Sequence, residues 1–97
     1  MENNTGWQLL DVRRIWNEAP HNAFTDLLRY RDQWWCVFRE AEHHLTQDGT
    51  LRVLRSPDGK HWESAALLSW DIADLRDGKL SVCPDGRLMI NGGAALH

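Results

Sequence analysis

Two polar stretches of this chain concentrate the side chains able to do chemistry. Residues 39–49 carry Arg39, Glu40, Glu42, His43, His44 and Asp48, and residues 71–77 carry Asp74, Arg76 and Asp77. His21 and Asn22 stand apart from them, just after Pro20. Carboxylates grouped in this way can act as general acid or base at a glycosidic bond, and arginine forks can grip anionic groups with two hydrogen bonds. Glu40-x-x-His43 and the His43–His44 pair have metal-ligating residue types. Adjacent side chains on an extended backbone point apart, however, and no second ligand cluster accompanies them, so no metal is expected. No Gly-rich phosphate loop and no Ser/His/Asp nucleophile pattern can be made out, and no cofactor is implied.

Composition narrows the class of partner. The chain has 97 residues and a formal net charge of -3, which gives no electrostatic footprint for nucleic acid or for an acidic membrane surface. Six tryptophans in so short a chain require several flat apolar surfaces to pack against. Cys36 and Cys83 match no metal-finger or CxxC spacing, form no disulfide framework, and read as small buried hydrophobes. The polar N-terminus lacks a basic region followed by an apolar one, and no apolar run is long enough to cross a bilayer. A soluble chain with neither leader nor membrane span is expected.

The elements that must position these residues read as short strands between turns. Residues 7–16 carry Leu9, Leu10, Val12 and Ile15 among polar residues and read as a strand, broken by Asn17-Glu18-Ala19-Pro20. A second run, 22–30, turns at Arg31-Asp32 into 33–39. There Trp34-Trp35-Cys36-Val37-Phe38 forms the unbroken apolar stretch of a strand covered on both faces. Residues 50–55 alternate, Ser56-Pro57-Asp58-Gly59 is a turn, and 61–70 closes the set. After a loop at 71–77 the pattern restarts, with strand 79–83, a Pro84-Asp85-Gly86 turn and strand 87–91. The same strand–turn–strand unit thus recurs after roughly fifty residues, a propeller-blade period.

Ser56-Pro57-Asp58-Gly59-Lys60-His61-Trp62 resembles, in contracted form, the Asp-box of bacterial-neuraminidase repeats. In such a turn Ser and Asp side chains bond backbone N–H groups, Gly takes a conformation closed to other residues, and Trp packs beneath. That assigns structural roles to Ser56, Asp58, Gly59 and Trp62. The strings 19–27, 35–40, 74–77, 79–82 and 85–89 also look like the first blades of sialidase-like glycosidases. The resemblance covers residues 19–93 and implies an all-β fold, a propeller of about six blades built from four-stranded antiparallel meanders. On this reading 1–16 is the outer strand of a neighbouring blade, 22–70 is one complete blade, and 79–91 is the inner half of the next. The propeller is then incomplete in one chain. Its remainder would come from the parent propeller or from further copies joined edge to edge as a homo-oligomer.

The resemblance also sorts the loops. Blade-to-blade connections and the loops after second strands share the face around the central channel, where a sugar would bind. It implies Arg39, His21, Asn22, His43, Arg76 and Asp77 as substrate-binding residues, and Glu40 and Asp48 as candidates for the acid/base carboxylate. Arg39 matches a family arginine that follows the second strand. Where the family carries an arginine in an Arg-Ile-Pro motif this chain has His21-Asn22-Ala23, and the tyrosine nucleophile and third arginine belong to later blades. The function implied is a glycoside hydrolase module that acts on or binds a carbohydrate. The alternatives are a non-catalytic glycan- or protein-binding propeller and a small independent β domain whose Asp-box is coincidental. A bland reading stands beside each site residue: Arg39 and Glu40 as a loop ion pair, Trp34 and Trp35 as packing residues on opposite faces of one strand.

Overall fold

The computed structural model describes residues 6 and 8–97, and among these it contains six antiparallel strands and no helix. The strands are β1 (His21–Tyr30), β2 (Gln33–Ala41), β3 (Thr50–Ser56), β4 (Glu63–Leu68), β5 (Ala73–Val82) and β6 (Leu88–Leu96). The first four form one meander in the order β1-β2-β3-β4, and β5 and β6 form a separate two-stranded sheet.

Sequence chemistry accounts for the first sheet. Arg31 and Asp32 both take left-handed backbone, with φ of 48° and 63°, the two-residue turn whose twist matches a hairpin. In β2 the alternation of an extended strand sends Val37 one way and Cys36 and Phe38 the other, and all three are buried. Val37 joins Leu51, Val53 and Leu80 in a core between the two sheets, bordered by Trp35, Leu75 and Ile90. Cys36, Phe38 and Leu54 form a second core on the far face, covered by Ile15, Trp16 and Trp62. The unbroken apolar run of β2 reflects these two covered faces.

The turn between β3 and β4 is built as its residue types require. The buried Ser56 hydroxyl accepts hydrogen bonds from the backbone N–H groups of Asp58 and Gly59, at 3.3 and 2.8 Å. Asp58 Oδ1 accepts from the N–H groups of Lys60 and His61, both at 2.9 Å. Gly59 has φ of 78°, and Trp62 Nε1 donates to the Gly59 carbonyl at 3.0 Å.

The second sheet lies face to face with the first, β5 running across β1, β2 and β3. Tyr30 donates its hydroxyl to the Gly86 carbonyl, and the Leu80 N–H donates to Asp26 Oδ2 at 2.8 Å. A structural equivalence links the sheets. In β1, Phe24 and Thr25 stand opposite one residue of β2, and in β5, Asp77 and Gly78 stand opposite one residue of β6. The first bulge residue is left-handed in both, with φ of 59° at Phe24 and 56° at Asp77. The two bulges have the same spacing to Leu27 and Leu80 respectively, so the sequence repeat is also a repeat of backbone conformation.

Several boundaries differ from those read in the sequence. Residues 8–16 form no strand, and Trp7 lies outside the described residues. Leu9, Leu10 and Val12 are largely exposed, and only Ile15 and Trp16 reach the protein. Their apolar pattern lacks the backbone partner that would make it a strand. The loop expected over 71–77 is already strand from Ala73, and the tail beyond Asn91 pairs as far as Leu96. Both segments carry loop-like residues, yet their backbone groups complete the β5–β6 ladder. In the other direction, β4 is shorter than the expected 61–70, because Trp62 packs beneath the turn and Trp70 lies past the strand.

Candidate functional site

Arg39 ends up as a buried tie rather than an exposed fork. Its position in β2 points it toward β5, where its side chain has no exposure and pairs at 2.9 Å with Asp74, which is 1% exposed. The guanidinium also donates to the carbonyls of His43 and Thr46, at 3.3 and 2.7 Å. Asp74 is saturated in turn. Oδ1 accepts from the Gly49 N–H at 2.7 Å, and Oδ2 accepts from Arg76 Nε at 2.7 Å. Burial raises the Asp74 pKa, but the donors from Arg39, Arg76 and Gly49 outweigh it and hold the carboxyl below the ordinary carboxylate range. The network locks the 42–49 loop onto β5, and the Leu75 N–H adds a bond to the Gly49 carbonyl at 3.0 Å.

Glu40, one residue on, faces the opposite side of the sheet. It is 6% exposed, its Oε1 accepts from Arg52 Nε at 2.9 Å, and its Oε2 accepts from Trp16 Nε1 at 2.8 Å. The Arg52 guanidinium stacks 5.3 Å from the Trp16 ring centre. Arg39 and Glu40 are therefore not a loop ion pair: each belongs to a separate network on its own face. Asn22 also falls on the Trp16 side, in a cleft of about 160 Å³ with Ile15, Thr25, Cys36 and Phe38. Its Nδ2 donates to the Ala19 carbonyl at 2.7 Å.

The remaining expected site residues scatter around the end of the sheets. His21 lies with its ring centre 5.7 Å from that of His44, which in turn sits 5.3 Å from Phe24. His43 contributes backbone rather than imidazole, its N–H donating to the Thr46 hydroxyl at 3.1 Å. Arg76 is engaged with Asp74, and Asp77 occupies the β5 bulge, exposed. Asp48 is exposed, and Oδ2 accepts from the Glu42 N–H at 3.1 Å. The Thr46 hydroxyl and the Glu42 N–H hold its carboxyl below the ordinary range, so it is ionised at neutral pH.

Asp48 also lines a cleft large enough to receive a ligand of sugar size. This cleft, of about 340 Å³, is formed where the β2–β3 loop, the β4–β5 connection and the end of β6 meet. It is lined by Asp48, Gly49 and Thr50 from the β2–β3 loop and the start of β3, and by Ser69, Trp70 and Asp71 from the β4–β5 connection. Trp70 is 48% exposed, and His97 closes the end, its Nε2 at 2.7 Å from the Gln47 carbonyl oxygen. Trp70 and Asp71 had no place among the sequence-based site residues. Their signal was a tryptophan directly before an acid at the close of a strand, which also fits a packing residue. Compared with models of protein families, with curated proteins and with solved structures, the chain matches none.

Proposed function

We propose that the chain is a unit of a sialidase-like propeller, one blade plus the inner hairpin of the next, that binds carbohydrate at the loop end without cleaving it. The observation carrying the binding reading is the cleft lined by Trp70 together with Asp48, Asp71, Thr50 and Ser69. A half-exposed indole flanked by short polar groups suits a sugar, with an apolar ring face and hydroxyls at its edge. The propeller reading is supported by the Ser56–Asp58 turn between the third and fourth strands of a meander, and by the matching bulges at Phe24 and Asp77.

Binding is favoured over hydrolysis by the fate of the two candidate acids. In a two-carboxylate mechanism acid and base must flank one glycosidic bond, about 5–10 Å apart across a shared substrate; in the sialidase-like scheme a tyrosine replaces one of them, and it belongs to later blades. Glu40 has both oxygens committed to Arg52 and Trp16 on the far face of the sheet, so the two acids expected from the sequence do not share a substrate, and Asp71 is the carboxylate that lines the cleft with Asp48. The test is calorimetric titration of neutral and charged oligosaccharides, alongside hydrolysis of an aryl glycoside panel that includes an α-sialoside. Binding lost in Trp70→Ala, with no turnover, is expected. Turnover abolished by Glu40→Gln, Asp48→Asn or Asp71→Asn would replace the binding reading with the glycosidase one.

A further inference from the structure

We infer that the Trp70 cleft selects an amine-bearing sugar over its neutral counterpart and rejects acidic sugars. The inference rests on the carbohydrate-binding reading above and specifies its ligand class. The residues lining the cleft include the carboxylates of Asp48 and Asp71, the His97 imidazole, whose Nε2 is engaged by the Gln47 carbonyl oxygen at 2.7 Å, and no lysine or arginine. Asp48 is held in its charged form by the Thr46 hydroxyl and the Glu42 N–H. The nearest guanidinium groups are directed elsewhere. Arg39 and Arg76 converge on Asp74, one from each side, and Arg39 is fully buried beneath Gly49. An acidic sugar in this cleft would face two carboxylates with no fork to receive its own.

A protonated amine meets the opposite situation. Asp48 and Asp71 both line the cleft, one from the β2–β3 loop and one from the β4–β5 connection, with Trp70 adjacent to Asp71 in the chain. A sugar ring stacked on the indole would carry an amine substituent toward carboxylates that have no cationic partner among the described residues. The indole face itself attracts a cation as well. Because both carboxylates are open to solvent, the selectivity should be modest and should shrink as salt is added.

The experiment is titration of the intact chain, at about pH 6 so that amine and carboxylates are both charged. Three probes are compared: a short glucosamine oligomer, its N-acetylated counterpart and sialyllactose. The glucosamine oligomer should bind about tenfold more tightly than the N-acetylated one, with sialyllactose undetected. Asp48→Asn/Asp71→Asn should bring the first two within about twofold of each other, and Trp70→Ala should abolish both. An amine preference that survives the double variant overturns the inference, as does glucosamine binding that survives Trp70→Ala. Sialyllactose bound as tightly as the others also overturns it, while leaving carbohydrate binding intact. Binding of none of the three overturns the functional reading as well.

Discussion

Arg39 and Asp74 meet at 2.9 Å from two different sheets, one fully buried and the other 1% exposed. Their contact fixes the distance between β2 and β5 and, through the Gly49 N–H and the His43 and Thr46 carbonyls, the course of the whole 42–49 loop. Removing one member of a buried pair leaves the other charged and unpaired, which costs roughly 3–5 kcal/mol. In a small domain that is a large share of total stability. Asp74→Ala is therefore expected to lower the midpoint of urea unfolding sharply. Replacing both partners by apolar residues, as in Arg39→Met with Asp74→Leu, should recover much of the loss because no lone charge remains buried.

The same pair sets an acid limit. Asp74 has its folded pKa below its unfolded value of about 3.9, so its contribution is fully present above that value and is lost as pH falls through the folded pKa. Urea midpoints measured between neutral pH and about pH 3 should decline for the natural chain. Asp74→Asn, starting lower, should decline less over the same interval. An equal decline in both would assign the acid sensitivity to other groups.

Gly49 is expected to tolerate no side chain. A Cβ built there would lie 2.2 Å from Asp74 Oδ1 and 2.5 Å from both Arg39 Nε and the Leu75 carbonyl oxygen. Asp74 Oδ1 is held by Arg39 Nη2, Arg39 Nε belongs to the same fully buried guanidinium, and the third atom is backbone, so none can yield cheaply. Gly49→Ala should destabilise by about 1–3 kcal/mol through overpacking. Gly86→Ala is a useful contrast, because nothing lies within 4 Å of its Cβ and only the backbone conformation, with φ of 86°, resists the change. Thermal unfolding of the two variants separates packing from backbone strain.

What was legible in the sequence was what local chemistry decides. The apolar run of β2, the alternation of β3 and the Ser56–Trp62 turn each carry their reason within a few residues, and each has its expected form. The partners of Arg39 and Glu40 were not legible, because Asp74 and Trp16 lie 35 and 24 positions away and nothing local marks them. Strand alternation alone does send adjacent residues to opposite faces, but not to what waits there. The ends of β5 and β6 were hidden for another reason. Asp74-Leu75-Arg76-Asp77 and Gly92-Gly93-Ala94-Ala95 have the composition of loops, and only the ladder between them makes them strands. The converse case is 8–16, whose apolar residues suggest a strand that finds no ladder.

The hairpin turn at Arg31-Asp32 offers a stabilising change. Both residues hold left-handed backbone, a conformation that costs an ordinary side chain and is free for glycine. Asp32 is exposed, so its side chain can be removed without opening a hole. Asp32→Gly, at the second position of the turn where glycine is favoured, should stabilise by about 0.5–1 kcal/mol. A fall in the urea midpoint would mean that the Asp32 carboxylate contributes more than its backbone conformation costs.

Ser56 should matter more to stability than its size suggests. The residue is fully buried, and its hydroxyl is the shared acceptor for the Asp58 and Gly59 N–H groups. Ser56→Ala leaves both donors short of an acceptor at the start of the turn, at a cost of about 1–3 kcal/mol if water cannot enter. Asp58 works from the outside of the same turn. The His61 N–H, the His61 ring and the Lys60 N–H hold its carboxyl far below the ordinary range, so its bonds survive until strongly acid pH. Amide hydrogen exchange tests the division of labour. Ser56→Ala should accelerate exchange along the paired residues of β3 and β4, whereas Asp58→Ala should accelerate it chiefly at Lys60 and His61. If both variants loosen the two strands equally, the turn acts as one unit and the buried hydroxyl holds no special place in it.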